Sequence, residues 1–240
     1  MIVIPMAGLS QRFFQAGYTR PKYQLDLHGQ SVFTRAVRSF EHCFGQREFL
    51  FVLRPDHDTE AFVRQELAAL GLHDATLHVL HAPTRGQADT VALALRQRLS
   101  LADGPITVFN IDSFRHGYRP PDFEAHCDGW LEVFIGEGDH WSFVAPLDGQ
   151  RVARTAEKQR ISALCSNGLY HFRSGRRFVQ ACDEAIASQQ FVRGELYIAP
   201  LYNQLLRDGL DIRYRLIDAS QIDFCGTPDE YAALLQQAPA

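Results

Sequence analysis

The sequence predicts an α/β fold, a mostly parallel sheet flanked by helices, followed by a more mixed second half. Three observations carry this. Short apolar runs rich in β-branched and aromatic residues alternate with helix-period segments over roughly the first 115 residues. The first run, MIVIPM at 1–6, passes straight into a small-residue loop, AGLSQRF. Past residue 129 several strand-like runs follow one another with no helical segment between them.

The strand-like runs are 1–6, 48–53, 76–81, 105–110, 130–136, 142–147, 168–172 and 211–217. Helical spacing of apolar residues marks 31–44, 58–71 and 87–99 in the first half. It returns at 174–188, 198–208 and 228–237. The β-α-β-α order implies right-handed crossovers between parallel strands. No internal repeat or low-complexity linker is present, so residues 1–240 are expected to form one continuous domain. Its helix-alternating half would span 1–115 and its mixed half 116–240.

Composition excludes several classes. Hydrophobic residues make up 46% and charged residues 22%, as in ordinary globular proteins. The net charge of −4 gives no global field for nucleic acid or an anionic membrane. No run reaches the roughly 18 apolar residues of a membrane span, and no basic n-region precedes the first one. A cytoplasmic protein is expected. The five cysteines, Cys43, Cys127, Cys165, Cys182 and Cys225, are odd in number and form no C-x-x-C pair, so neither a disulfide framework nor a zinc knuckle is expected.

Ligands of open α/β sheets bind at the carboxyl ends of the strands, where the loop after the first strand lies. Gly8 would let a bound group approach the backbone, and Ser10 adds a hydroxyl. Arg12 offers a planar fork suited to phosphate oxygens, and Lys22, ten residues on, a mobile point charge. The G-x-G-x-x-G and G-x-x-x-x-G-K-[ST] phosphate loops are both absent.

The stretch MAGLSQRFFQAGYTRPK resembles the signature of the NTP transferases, the sugar-1-phosphate nucleotidyltransferase superfamily. Those proteins open with a strand, then [A-G]-x-[GS]-x-R-F, then P-K. Sugar enzymes usually carry glycine where Ser10 stands. The serine form occurs in the wider superfamily, including cytidylyltransferases. The resemblance implies a Rossmann-like (GT-A type) fold with a mixed acceptor-binding half. It implies a triphosphate lined by Ala7, Gly8, Leu9 and Ser10, with Arg12 and Lys22 as catalytic cations. It places a base-reading loop at Gly86 and Gln87; on the residues alone, this stretch equally reads as a helix start capped by Thr84.

The same resemblance makes Asp112, in VFNIDSF, a ligand of a catalytic Mg²⁺, although a turn or cap aspartate would also fit there. Asp223, in QIDFCGTPDEY, would be the second ligand. Cys225 is one residue more than the family pattern has at that point, which makes Asp218 a fallback. TPDEY also reads as a helix start, with Thr227 as cap and Pro228 at the first position. The acceptor phosphate ester would meet Glu157 and Lys158, Asn167 and Gly168, and Glu195. Trp141, in GDHWSF, either walls that pocket or half-buries in a hairpin.

The implied reaction joins an NTP, with CTP favoured, to a small phosphorylated metabolite such as a sugar phosphate, and releases pyrophosphate. Supply of surface-polysaccharide or capsule precursors is the implied role. A homodimer would be in keeping with the superfamily. A GT-A glycosyltransferase would need D-x-D, and position 114 is Phe; a non-catalytic nucleotide sensor is the other alternative.

Overall fold

The computed structural model describes residues 1–98 and 103–237. In chain order the elements are β1 (Ile2–Pro5), α1 (Gln11–Gln15), β2 (Asp26–Leu27), β3 (Gln30–Ser31), α2 (Val32–Arg38), β4 (Phe49–Leu53) and α3 (Thr59–Ala69). Next come β5 (Thr76–Val79), α4 (Gln87–Arg96), β6 (Ile106–Val108), β7 (Ser113–Arg115), β8 (Gly129–Ile135), β9 (Ser142–Pro146) and β10 (Val152–Glu157). The chain continues with β11 (Leu164–Phe172), α5 (Gly175–Ala187), α6 (Tyr202–Arg207), β12 (Ile212–Leu216), β13 (Ile222–Phe224) and α7 (Pro228–Gln236). The expected end of the third helix, at residue 99, lies outside the described residues.

The chain forms two compact units. One holds Met1–Val3, Ala82–Phe109 and Arg119–Ala219; the other holds Ile4–His81, Asn110–Tyr118 and Ser220–Ala240. The expected halves, 1–115 and 116–240, are cut differently from these units. Residues 82–98 and 103–109 fold with later strands because β6 runs antiparallel to β11, with Tyr170 opposite Val108. Residues 220–237 fold with earlier ones because β13 pairs antiparallel with β7, Asp223 opposite Phe114.

In the unit built around residues 4–81, β1 continues into β4 and β5, and β4 and β5 run parallel with Leu50 opposite Thr76. All five residues of β4 are buried, as a strand covered on both faces requires. Phe33 of α2 packs at 5.3 Å from Phe51 of β4 and 5.9 Å from Phe62 of α3. The β7–β13 ribbon rests on α2, and the Arg115 N–H donates to Ser39 Oγ at 2.9 Å.

In the other unit the strand order is β10-β9-β11-β6, followed by the first residues of β1. Ile2 and Val3 pair in parallel with Thr107 and Val108. β8 pairs with β11 on one side and in parallel with β12 on the other. β11 is nine residues long and buried throughout. Its register shifts between Ser166 and Tyr170, where Gly168 takes φ 90°, a bulge that only glycine adopts without strain. The α/β, Rossmann-like fold expected from the sequence is therefore present. The expected helix at 31–44 ends at Arg38 and resumes only as a 3₁₀ turn at Glu41–Cys43. That at 198–208 begins as a 3₁₀ turn carrying Pro200. No described helix is long and apolar enough to cross a membrane.

The last helix starts as TPDEY suggested. Thr227 accepts the Glu230 N–H at 3.2 Å, and Glu230 reaches back to the Thr227 N–H at 2.9 Å, with Pro228 in the first turn. Thr227→Ala is expected to lower stability by about 1 kcal/mol, measured as a shift of the urea midpoint at unchanged slope.

Candidate active site

The loop after β1 is anchored from below. Phe13 of α1 is buried, with ring centres 5.4 Å from Tyr18 and 6.2 Å from Tyr231. The Phe13 and Phe14 N–H groups both donate to Ser10 O, at 3.0 and 3.2 Å. Ser10 itself sits in the left-handed region, φ 50°. Its Oγ accepts the Lys22 backbone N–H at 3.2 Å, so the serine ties the start of the loop to its end. Ala7 is half-buried, Gly8 and Leu9 are exposed, and Arg12 is exposed on α1. A Cβ at Gly8 would meet nothing within 4 Å.

Lys22 opens a 3₁₀ turn, Lys22–Gln24, whose Tyr23 is buried with its hydroxyl 2.7 Å from Thr59 Oγ1. That anchor aims the Lys22 ammonium at Asp112, and Nζ donates to Oδ2. Both side chains are shielded, at 20% and 19% exposure. Asp112 is pinned by its backbone as well, since the Cys225 N–H donates to its carbonyl at 2.8 Å. The residue extra to the family pattern thus has a job in the backbone. Burial and the neighbouring Asp112 carboxylate push the Cys225 thiol up to about 12, which keeps it protonated and unreactive. A Cβ on Gly226 would stand 3.1 Å from Asp112 Oδ2.

Asp223 lies in the same unit, on β13. Its Oδ2 is 2.7 Å from His116 Nε2, a partner 107 residues away in sequence. The fallback Asp218 is exposed and belongs to the other unit. Among the described residues no group of three or more His, Cys, Asp or Glu side chains could hold a metal ion. Hard divalent ions such as Mg²⁺ are commonly held by one or two carboxylates, with water and substrate phosphate oxygens completing the shell. Asp112 suits that chemistry, because a cation, the Lys22 ammonium, already rests on it. Asp223 has the same capacity, since His116 engages one of its oxygens as Lys22 engages one of Asp112's.

The remaining predicted residues belong to the unit that holds β6 and β11. α4 begins at Gln87, and its cap is Gly86, not Thr84 as the sequence also allowed. Thr84 Oγ1 instead lies 2.8 Å from Thr90 Oγ1, and the Arg85 N–H donates to the buried Asp89 at 3.0 Å. Gly86 has φ 135°, and a Cβ there would stand 2.6 Å from Leu196 O and 2.7 Å from Leu196 N. Two backbone bonds bring the segments this close: Leu196 N–H to Arg85 O at 2.6 Å and Ala88 N–H to Leu196 O at 3.1 Å. The glycine is thus required by a chain crossing that sequence reading missed.

Glu157, Lys158 and Glu195 are brought together around Tyr197. Lys158 Nζ donates to the Tyr197 hydroxyl, and the Glu195 carboxylate lies near it. Burial and that carboxylate hold the Tyr197 hydroxyl far above its ordinary range. Ser142 Oγ donates to Glu157 Oε2 and lies 3.3 Å from the Tyr170 hydroxyl. Burial raises the Glu157 carboxyl, and it raises Tyr170 to about 12 with the Glu157 charge adding to it. Asn167 is committed elsewhere. It is 1% exposed, its Nδ2 donates to the buried Glu132 at 2.8 Å, and its Oδ1 accepts the Leu169 N–H at 3.1 Å. Trp141 is half-buried and donates through Nε1 to Glu137 O at 2.9 Å, but the strands on either side of it, β8 and β9, both pair with β11 and not with each other, so the expected hairpin is not formed.

No protein-family model and no curated protein matches the chain. Solved structures do. A nucleoside-diphosphate-sugar pyrophosphorylase from Vibrio cholerae RC9 is 51% identical, with TM-score 0.94 over 99% of this chain and 100% of that one. An inositol-1-phosphate CTP transferase from T. maritima shares the fold at 11% identity, with TM-score 0.73 over 100% of this chain and 97% of that one. So does a UDP-glucose pyrophosphorylase from Acinetobacter baumannii, at 16% identity and TM-score 0.70 over 98% and 91%. Fold and sequence thus agree on an NTP transferase, and the chain belongs to the nucleoside-diphosphate-sugar pyrophosphorylase family of that superfamily.

Two outcomes follow from this geometry. Gly86→Ala is expected to destabilise by more than about 1 kcal/mol, because both its φ and the Leu196 backbone oppose a Cβ. Amide exchange at Leu196 and Ala88 should accelerate with it, and unchanged exchange there would refute the crossing as its cause. The second outcome concerns pH. The folded chain holds a proton on Glu157 more tightly than the unfolded chain does. The stability this contributes is complete below the ordinary value of 4.5 and is lost as pH rises through the raised folded value. Glu157→Gln should therefore flatten the fall in urea midpoint between 4.5 and the raised folded value.

Proposed function

We propose that the chain transfers a nucleotidyl group from an NTP to a small phosphorylated acceptor and releases pyrophosphate. The observation that carries this is the Lys22–Asp112 contact beside the Ser10 loop, in a chain half identical to a nucleoside-diphosphate-sugar pyrophosphorylase. That relative's name supports a sugar 1-phosphate as acceptor. The Ser10 form of the loop supports CTP as the nucleotide. Provision of activated sugars or related groups for surface polysaccharide is the role we favour.

In this reading a phosphate oxygen of the acceptor attacks the α-phosphorus of the NTP and pyrophosphate leaves. No protein nucleophile is needed, because the acceptor phosphate is already an anion near neutral pH. The obstacle is charge, since two polyanions have to meet. Arg12 takes the tail of the triphosphate and Lys22 the α-phosphate, where they stabilise charge building on the leaving group. Exposed Gly8 and Leu9, with Ala7 and Ser10, give the phosphates a loop to lie along. Gly86 and Gln87 serve the base, and Glu157, Lys158 and Glu195 the acceptor. Mg²⁺ would be held by Asp112, with Asp223 as the second carboxylate. It would supply charge neutralisation at the phosphates.

The test is pyrophosphate release from CTP, UTP, dTTP, ATP and GTP, each against a panel of sugar and polyol phosphates, with and without EDTA. Release by one pair, abolished by EDTA, is expected. Lys22→Ala and Asp112→Asn should each lower turnover by ~10²-fold or more, the scale of losing one electrostatic stabiliser. No release by any pair, with no thermal stabilisation by any NTP, would sink the proposal.

A further inference from the structure

Lys158 follows β10 in the left-handed region, φ 53°, which is uncommon for a residue with a side chain. Its backbone is fixed there by a bond from its N–H to Trp141 O at 2.8 Å. The ammonium is fixed as well. It donates to the Tyr197 hydroxyl, and Nζ lies 4.3 Å from the centre of the Tyr197 ring.

Tyr197 is held from behind. Val192 and Glu195 exchange two backbone bonds, of 2.9 and 3.0 Å, across a turn with Arg193 at φ 50° and Gly194 at φ 82°. Both central residues of that turn have positive φ, the pattern of a tight hairpin. Leu196, next along, is locked to Arg85 and Ala88 by the two bonds described above. Tyr197 thus leaves a rigid segment, whereas a lysine stem is flexible by nature.

We infer that Tyr197 is the positioning residue that holds the Lys158 ammonium for the phosphate of the acceptor. This rests on the proposed assignment of Lys158 to that phosphate. An ammonium carries three N–H donors. The tyrosine takes one and leaves two for phosphate oxygens. The ring adds a cation–π contact that favours the charged form without neutralising it, as a carboxylate partner would. The nearby Glu157 does not take that place, because its oxygen already accepts from Ser142.

The test follows the rate of Lys158 acetylation by peptide mass spectrometry, with inorganic phosphate as the probe, in the full chain and in two variants checked for folding by circular dichroism. In the unaltered chain phosphate should slow labelling of Lys158. Tyr197→Leu should need about tenfold more phosphate for the same protection, and Tyr197→Phe, which keeps the ring, only about threefold. In turnover, Tyr197→Leu should raise the acceptor KM by about tenfold while the NTP KM stays within about twofold. Protection in the unaltered chain with the same phosphate dependence in folded Tyr197→Leu overturns the positioning role alone. Absence of protection in the unaltered chain overturns the role of Lys158 and this inference with it, whereas pyrophosphate release tests the reaction separately.

Discussion

The ion pair between Lys22 and Asp112 is the constraint from which the rest of its unit can be read. A carboxylate shielded to one-fifth exposure needs a compensating charge, and removing only one partner would leave the other stranded. The chain supplies the pair from segments 90 residues apart and then fixes each backbone independently. Ser10 holds Lys22 through its N–H, and Cys225 holds Asp112 through its carbonyl. The Glu230 carboxylate, which accepts the Gly226 and Thr227 N–H groups, keeps the segment beside Asp112 in place. The pair engages one oxygen of Asp112 and one of the ammonium's three N–H donors, so in the proposed reaction it could meet a divalent ion and a phosphate without being broken.

The other unit applies the same economy to its backbone. Leu196 makes one bond to each side of Gly86, and the residues flanking it are Glu195 and Tyr197. A single crossing therefore fixes the segment proposed to read the base and the segment that holds Lys158. Glycine at position 86 is what lets the two chains touch, and the neighbouring hairpin turn needs no further support because Val192 and Glu195 close it.

How much of this was legible depended on whether the cause was local. The order of the strands in the sheet was not, but the eight strand-like runs were, each falling on one of β1, β4, β5, β6, β8, β9, β11 and β12, because apolar runs broken by helical spacing are a local signal. So was the start of α7, where Thr227, Pro228 and Glu230 lie within one turn. Gly86 was legible as a glycine, but its reason was not, since Leu196 lies 110 residues on. The β7–β13 ribbon was missed because each strand has only three residues and neither carries a pattern without the other. The His116 partner of Asp223 and the Tyr197 partner of Lys158 were invisible for the same reason. Tyr197 left one faint trace, an aromatic two residues after Glu195, which alternation along a strand would place on the same side.

Asn167 shows how a motif residue acquires a second explanation once its surroundings are known. Glu132 has no exposed surface, and an isolated charge there would be very unfavourable. Asn167 Nδ2 donates to one oxygen of that carboxylate, and Arg215 Nε lies 3.9 Å from the other. The same asparagine accepts the Leu169 N–H, which bridges the bulge at Gly168. The bulge shifts the pairing of β11 with β8 between Ser166 and Tyr170, so it sets where Tyr170 falls along the strand. Tyr170 is the residue whose hydroxyl meets Ser142, and Ser142 is the donor to Glu157. The asparagine and glycine therefore bear on the acceptor residues through the register of β11, and this accounts for both of them without any contact to a bound molecule.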